Sequence, residues 1–367
     1  MPKLLFLVTE DWYFVSHRLP LAIAALREGF DVTVVTRCRK HCGPMKDLGL
    51  RVIPFEMNRR GLSPLTLAWE AAGLARLYRR EQPDIVHHVA LRPVVAGAIA
   101  ARIAGVPNVI SAVTGLGFLF TDGGRVPLVR RVLQRFLPWL MSQGLVIVQN
   151  PDDSAMLVHS GMPANIIRLI PGAGVDAHQF APAPEYEDQP MVMLASRLLW
   201  DKGVGEFVEV ARMLRDRGVR FVLVGEPDSD NPASVTEADV NGWLAEGVVE
   251  WWGHQENMAQ TLRMAHIVCL PSYREGLPKV LLEAMACGKA CVATDAPGCR
   301  EAVRHGDNGL LVPIKNARAL AAAIVRLLDD PEERACMGAR GRERAVAEFC
   351  QERVIEATLE IYRELLS

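Results

Sequence analysis

Cysteine is sparse in this sequence, eight residues in 367, and that thinness excludes a small disulfide-stapled scaffold. The eight (Cys38, Cys42, Cys269, Cys287, Cys291, Cys299, Cys336 and Cys350) lie mostly in apolar or helical runs and read as reduced thiols of a cytoplasmic protein. Two C-x-x-x-C pairs occur, but neither has C-x-x-C spacing or a histidine pair, so no metal site is expected. No run of 18 uninterrupted apolar residues exists, which argues against a membrane-spanning helix. The opening MPKLLFLVTEDWYF has too short an apolar stretch for a signal peptide and reads as a first buried strand. Also missing is G-x-G-x-x-G. Neither Leu7–Ser16 nor Val222–Asp230 supplies it, and a nicotinamide-dependent oxidoreductase on an α/β fold would need it. Net charge is small, −2, and half of the residues are hydrophobic, so a disordered chain is excluded too.

The small net charge conceals a division. Residues 1–180 carry 20 Lys and Arg against 13 Asp and Glu, whereas residues 181–367 carry 21 against 30. A basic half suits an anionic lipid surface, nucleic acid or a phosphorylated substrate.

Short apolar runs alternate with helical patterns throughout. Expected strands are 3–9, 31–36, 50–55, 84–89, 106–112, 144–148 and 166–170, and then 191–196, 219–224, 248–251, 267–270, 290–293 and 309–312. Helix-spaced segments lie between them, such as 65–80, 93–104, 127–141, 204–215, 278–287 and 317–328. That rhythm means parallel sheets with crossover helices. A Pro- and Gly-rich stretch without period, IPGAGVDAHQFAPAPEYEDQP, divides the chain. The expected layout is an N-terminal domain 1–175, a linker 176–189, a C-terminal domain 190–345 and a final helix 346–367 that packs back on the first domain. The fold class is therefore α/β, with two doubly wound Rossmann-like domains facing a cleft, where ligands of open α/β sheets bind.

The densest chemistry lies in PSYREGLPKVLLEAMACG. Its strand-to-helix turn ends in Glu275-Gly276-Leu277-Pro278, and Pro278 suits the first position of a helix that stops at Gly288. Backbone N–H groups and the positive end of that helix make an anion site. Glu275 and Glu283 beside it suit sugar or ribose hydroxyls, although Glu283 could equally face solvent. In ASRLLWDKGVGEF, Arg197 follows a buried strand and Lys202 precedes a helix, two cations fit to neutralise a diphosphate. Asp228-Ser229-Asp230 matches a D-x-D metal motif, but in a polar, Pro-flanked loop it reads as coincidence. His87 and His88 fall within a buried strand pattern and read as packed on opposite faces.

Taken together, Glu275…Glu283, the R-x4-K-G of Arg197, Lys202 and Gly203, and PGAGVD…F-x-P resemble the retaining family 4 glycosyltransferases of the GT-B fold, over essentially the whole chain. SHRLPLA, NRRGLSP and TGLGFLF resemble the members that build lipid-linked oligosaccharides. The resemblance implies a UDP-sugar donor, an N-acetylhexosamine such as GalNAc, and a polyprenyl-diphosphate-linked saccharide acceptor, with neither metal, cofactor nor nucleic acid. By the same resemblance, Arg197, Lys202 and Glu275 carry catalysis. Donor contacts would add Gly253, His254, Gly276, Leu277, Pro278, Lys279 and Glu283. His17, Arg18, Thr114 and Gly115 are acceptor candidates, with Arg18 alternatively a surface cation. Thr114 stands where many members have a His, and Thr9–Tyr13 replaces a common glycine pair.

Arg125, Arg130, Arg131 and Arg135 with Trp139 make a basic amphipathic segment, joined by Arg59, Arg60, Arg76, Arg79 and Arg80. Such segments lie in membrane interfaces, although any helix on a sheet also buries one apolar face. The expectation is an enzyme peripheral on the inner face of the cytoplasmic membrane. A family member with a soluble acceptor, or a non-catalytic nucleotide-sugar-binding module, are the competing readings.

Overall fold

The computed structural model describes residues 1–58, 63–116, 136–184 and 189–367. It divides into unit 1, Met1–Ala173 with Val354–Ser367, and unit 2, Gly174–Arg353.

In unit 1, β1 (Lys3–Glu10), β2 (Asp31–Arg37), β3 (Arg51–Pro54), β4 (Ile85–Val89), β5 (Asn108–Ala112), β6 (Leu145–Val148) and β7 (Ile167–Leu169) form one sheet in the order β3-β2-β1-β4-β5-β6-β7. Every pairing is parallel. Helices cover both faces, so the central strands read as unbroken apolar runs such as Leu4–Val8, all buried. The last helix, Gln351–Leu366, sends Val354, Leu359, Ile361 and Tyr362 into the same core as Phe6, Phe14 and Ile110.

Unit 2 repeats the plan. β8 (Met191–Ala195), β9 (Arg220–Val224), β10 (Glu250–Trp251), β11 (Ile267–Leu270), β12 (Ala290–Thr294) and β13 (Gly309–Val312) pair in the order β10-β9-β8-β11-β12-β13, again all parallel. Strand order reverses direction between β1 and β4 in unit 1 and between β8 and β11 in unit 2. Crossovers leave those adjacent strands toward opposite faces, so their carboxyl ends open a crevice, the ligand position of open α/β sheets.

Three sequence readings change. Cys38 and Cys42 are joined by a disulfide, while Cys269, Cys287, Cys291 and Cys299 are buried free thiols, Cys336 is exposed and Cys350 half-buried. The buried Asp11 carboxylate folds the Cys38–Cys42 loop back by accepting from Arg39 N and His41 N, at 2.7 and 2.9 Å. The stretch read as a linker packs on unit 2 over its described part. Phe180 is buried in that unit's core, Asp176 accepts from His178 N and Gln179 N, and Arg263 and Arg342 donate to the carbonyls of Gln179, Ala181 and Phe180. Finally, the helix after Glu275 is Lys279–Ala286, and Pro278 is its N-cap, one residue before the first helical position.

Candidate functional site

The crevice at β8 and β11 is built from the two segments that carried the chemical motifs. After β8, Leu198 and Leu199 are anchored in the core, and a 3-10 turn, Trp200–Lys202, ends at Gly203 with φ 74°. A Cβ on Gly203 would lie 2.2 Å from the Pro271 carbonyl oxygen, so only glycine lets this loop press against the exit of β11. There Tyr273 N donates to Asp201 O at 2.9 Å and Ser272 Oγ to the same carbonyl at 3.2 Å. Beneath, Glu275 N donates to Pro297 O at 3.0 Å. Gly298, also at positive φ, allows that turn to approach the backbone of Glu275 and Gly276.

Lys202 and Glu275 thereby meet across the crevice. Lys202 Nζ lies 2.5 Å from Glu275 Oε1, with the two side chains 18% and 12% exposed. The buried Leu277 and Pro278 lead into the helix Lys279–Ala286, which carries Glu283 inward. Glu283 does not face solvent: it is buried, and Lys279 Nζ, one turn earlier, pairs with it at 2.9 Å. Burial pushes its carboxyl above the ordinary glutamate range against the pull of Lys279.

Arg197, exposed after β8, donates from Nη1 to Asp228 Oδ2 at 2.7 Å. The Asp228 loop is held to the Arg197 segment by the Leu199–Ser234 bridge and by Trp200 N to Ala233 O at 2.8 Å. The D-x-D string is thus not idle, because its first aspartate holds one edge of the Arg197 guanidinium. Sequence reasoning missed this partner; the two basic-acidic segments lie apart in the chain and only strand pairing brings them together. Gly253 and His254 follow β10. The Gly253 carbonyl accepts from Gly225 N at 2.7 Å, and His254 is exposed. Tyr273, whose hydroxyl donates to Glu206 at 2.6 Å under the ammonium of Lys315, is a further brace that sequence reading did not single out. No cluster of three or more metal-ligating side chains occurs among the described residues.

Among the unit 1 candidates, His17 is half-buried with its ring stacked on Tyr13, centroids 4.2 Å apart. Arg18 is 4% exposed and so is not a surface cation. Thr114 and Gly115 lie just past β5, both half-buried, with Gly115 at φ 129°. Of the basic segment, Arg125, Arg130, Arg131 and Arg135 lie outside the described residues, as do Arg59 and Arg60. Trp139 is exposed with Arg102 stacked 4.0 Å over its ring, near Ile103, whose carbonyl accepts from Arg79. Phe136, Trp69 and Leu65 are exposed as well. No described helix is long and apolar enough to cross a membrane.

Comparison with known proteins matches residues 3–147 to the glycosyl transferase 4-like family and residues 189–330 to glycosyl transferases group 1. The chain is 32% identical over 346 residues to the N,N'-diacetylbacillosaminyl-diphospho-undecaprenol alpha-1,3-N-acetylgalactosaminyltransferase of Campylobacter jejuni, covering 88% of this chain and 90% of that one. It is 27% identical to the UDP-Gal:alpha-D-GlcNAc-diphosphoundecaprenol alpha-1,3-galactosyltransferase of Escherichia coli, covering 83% and 81%. Among solved structures, HepE of Anabaena in complex with UDP and glucose superposes with a TM-score of 0.82 at 21% identity, over 99% of this chain and all of that one.

Proposed function

The chain belongs to the family 4 glycosyltransferases of the GT-B fold, and we propose that it moves an N-acetylhexosamine, such as GalNAc, from its UDP-sugar to an undecaprenyl-diphosphate-linked saccharide with retention at the anomeric carbon. The observation that carries this reading is the pair of anchored cations at the unit 2 crevice, Lys202 against Glu275 and Arg197 against Asp228, beside the buried Glu283. The names of the two curated relatives support the acceptor class.

In this reading Arg197 and Lys202 neutralise the donor diphosphate as it departs. The acceptor hydroxyl attacks from the face that the diphosphate leaves, and a phosphate oxygen of the leaving group takes its proton. Such a step needs charge neutralisation of the leaving group more than a side-chain base. Glu283 accepts from the ribose hydroxyls and Glu275 from the hexose. Backbone N–H groups of Gly276, Leu277 and Lys279 lie toward sugar and phosphate, and Gly253 and His254 flank the nucleobase. His17, Arg18, Thr114 and Gly115 belong to the acceptor side.

Mass spectrometry of a short lipid-diphosphate saccharide, incubated with the enzyme and a panel of UDP-sugars, tests the assignment. The expected result is a mass gain of one N-acetylhexosamine from one donor. A gain only on soluble acceptors, or none from any UDP-sugar, would overturn it.

The exposed Phe136, Trp139, Trp69 and Leu65, with Arg76, Arg79 and Arg80 exposed on the same unit, support a peripheral position on the inner face of the cytoplasmic membrane. Each cation near an anionic surface contributes about 1 kcal/mol. Sedimentation with phosphatidylglycerol vesicles is expected to fall at high salt and on charge reversal at Arg130 and Arg131. Equal partition of wild type and variant would remove the membrane assignment.

A further inference from the structure

The Lys202–Glu275 pair is bracketed by one further residue. Tyr273 lies beyond the end of β11 on the turn that carries Glu275 two residues later, and it bonds to the Lys202 segment on both sides of that lysine. Before Lys202, Tyr273 N donates to Asp201 O at 2.9 Å. After it, the Tyr273 hydroxyl donates to Glu206 Oε1 at 2.6 Å, in the first turn of the helix Val204–Met213. Lys202 therefore stands between two points of the chain that are both held by a single residue of the facing turn.

One wall of the crevice is rigid by packing. Leu198, Leu199, Val204, Phe207 and Val208 are buried in unit 2, which fixes the backbone around Lys202 and the start of its helix. The facing turn depends on hydrogen bonds instead, since Tyr273, Arg274 and Glu275 are each only half-buried. Glu275 N to Pro297 O holds its far side. The two bonds of Tyr273 tie its near side to the packed wall, and Ser272 Oγ adds to the first of them at the same Asp201 carbonyl.

The side chain suits a strut. An aromatic ring is a stiff spacer with few rotatable bonds. Burial, and then the charges of Glu206 and Asp201, hold the hydroxyl above the ordinary tyrosine range, so it keeps its proton and donates. A hydrogen bond to a carboxylate is roughly twice as strong as one between neutral groups. The exposed Lys315 places its ammonium 4.9 Å from the ring centroid, a cation–π contact that adds to the hold on the ring.

We infer that Tyr273 is a positioning residue of the donor site: with its N–H on Asp201 and its hydroxyl on Glu206, it sets the gap across which Glu275 holds the Lys202 ammonium, and so the placement of the cation that meets the donor diphosphate. The role of that cation rests on the reading above. Tyr273 acts through Lys202 and needs no contact with the donor.

A double-mutant cycle on UDP binding to the full-length protein, read by calorimetry, tests this, because UDP carries the charge of the departed leaving group. Wild type is expected to bind UDP, Lys202→Ala to bind it at least tenfold more weakly, and Tyr273→Phe about fivefold more weakly. Tyr273→Phe keeps the ring and the backbone bond, so the fold is expected to stand. In the Lys202→Ala background, Tyr273→Phe is expected to add less than a twofold loss. A residue that merely supported the fold would weaken binding by the same factor in both backgrounds, and that result overturns the inference. So does Tyr273→Phe alone binding within twofold of wild type. Glu206→Gln, which keeps an acceptor for the hydroxyl, is expected to bind UDP within threefold of wild type, and a loss there as large as that of Tyr273→Phe would also overturn it. Failure of wild type to bind UDP, or an affinity unchanged by Lys202→Ala, would count against the donor reading itself and would remove the inference with it.

Discussion

Replacing Lys202 by alanine is expected to lower sugar transfer about 100- to 1,000-fold, the size of effect seen when one group aimed at developing charge is removed. The geometry argues for a large effect. An exposed ion pair is worth little because water screens it, but Lys202 and Glu275 are mostly withdrawn from solvent and lie 2.5 Å apart. Glu275 is itself held by Pro297 O and by the close turn at Gly298. The ammonium is therefore positioned before any donor arrives, and neutralising a departing diphosphate costs little reorganisation. Loss should fall mainly on kcat, since charge on the leaving group is greatest in the transition state. The melting temperature should fall as well, because the mostly buried Glu275 carboxylate loses that cation, but the fold should survive, since the loop is fixed by Leu198, Leu199 and Gly203 rather than by the lysine. Steady-state kinetics beside a melting curve check this, and turnover within threefold of wild type would sink the catalytic assignment of Lys202.

Glu283→Gln is expected to separate function from stability. Donor KM should rise about 10- to 100-fold if the carboxylate accepts from ribose hydroxyls, from the 1.5–3 kcal/mol typical of a hydrogen bond to a charged group. Stability should move the other way. Burial raises the folded-state pKa of Glu283, whereas the unfolded chain titrates near the ordinary value of about 4.3. Below that value the side chain is protonated in both states and no penalty exists. As pH rises from there through the raised folded-state pKa, the unfolded state gives up its proton first, so stability is lost across that window and stays lost above it. Glutamine removes this dependence. The difference in Tm between Glu283→Gln and wild type should thus become more positive from pH 4 to pH 7. A Tm difference that is flat or reversed with pH, or an unchanged donor KM, would each count against the buried carboxylate as a binding group. The Lys279 partner is half-exposed and can turn to water.

Much of this molecule was readable in advance, for a definite physical cause. All thirteen expected strands occur because parallel strands buried on both faces must be continuous apolar runs, and the helices between them keep a 3.6 period. Arg197, Lys202 and Glu275 could be set beside one another in advance because each sits at a strand end or just before a helix, positions set by local sequence; Glu283, within the helix Lys279–Ala286, could not be told from a solvent-facing residue until the packing buried it. Asp228 was not, since its meaning depends on the loop that returns beside Arg197 through the Leu199–Ser234 bridge. Nor was the Cys38–Cys42 disulfide, whose loop is closed by Asp11, the first residue of the helix that follows β1.

Sequence alone thus determined two doubly wound α/β units and the ends of the strands at which chemistry would gather, because local hydrophobic period and turn chemistry decide those. Tertiary structure decided which charges face each other. Lys202 meets Glu275 and Arg197 meets Asp228 only because β8, β9 and β11 lie side by side. In the sequence Arg18 reads as an acceptor candidate or a surface cation, yet the fold buries it, and the terminal helix brings Tyr362 to His87 from the far end of the chain. Burial and long-range pairing are properties of the packed chain, and no local pattern of residues encodes them.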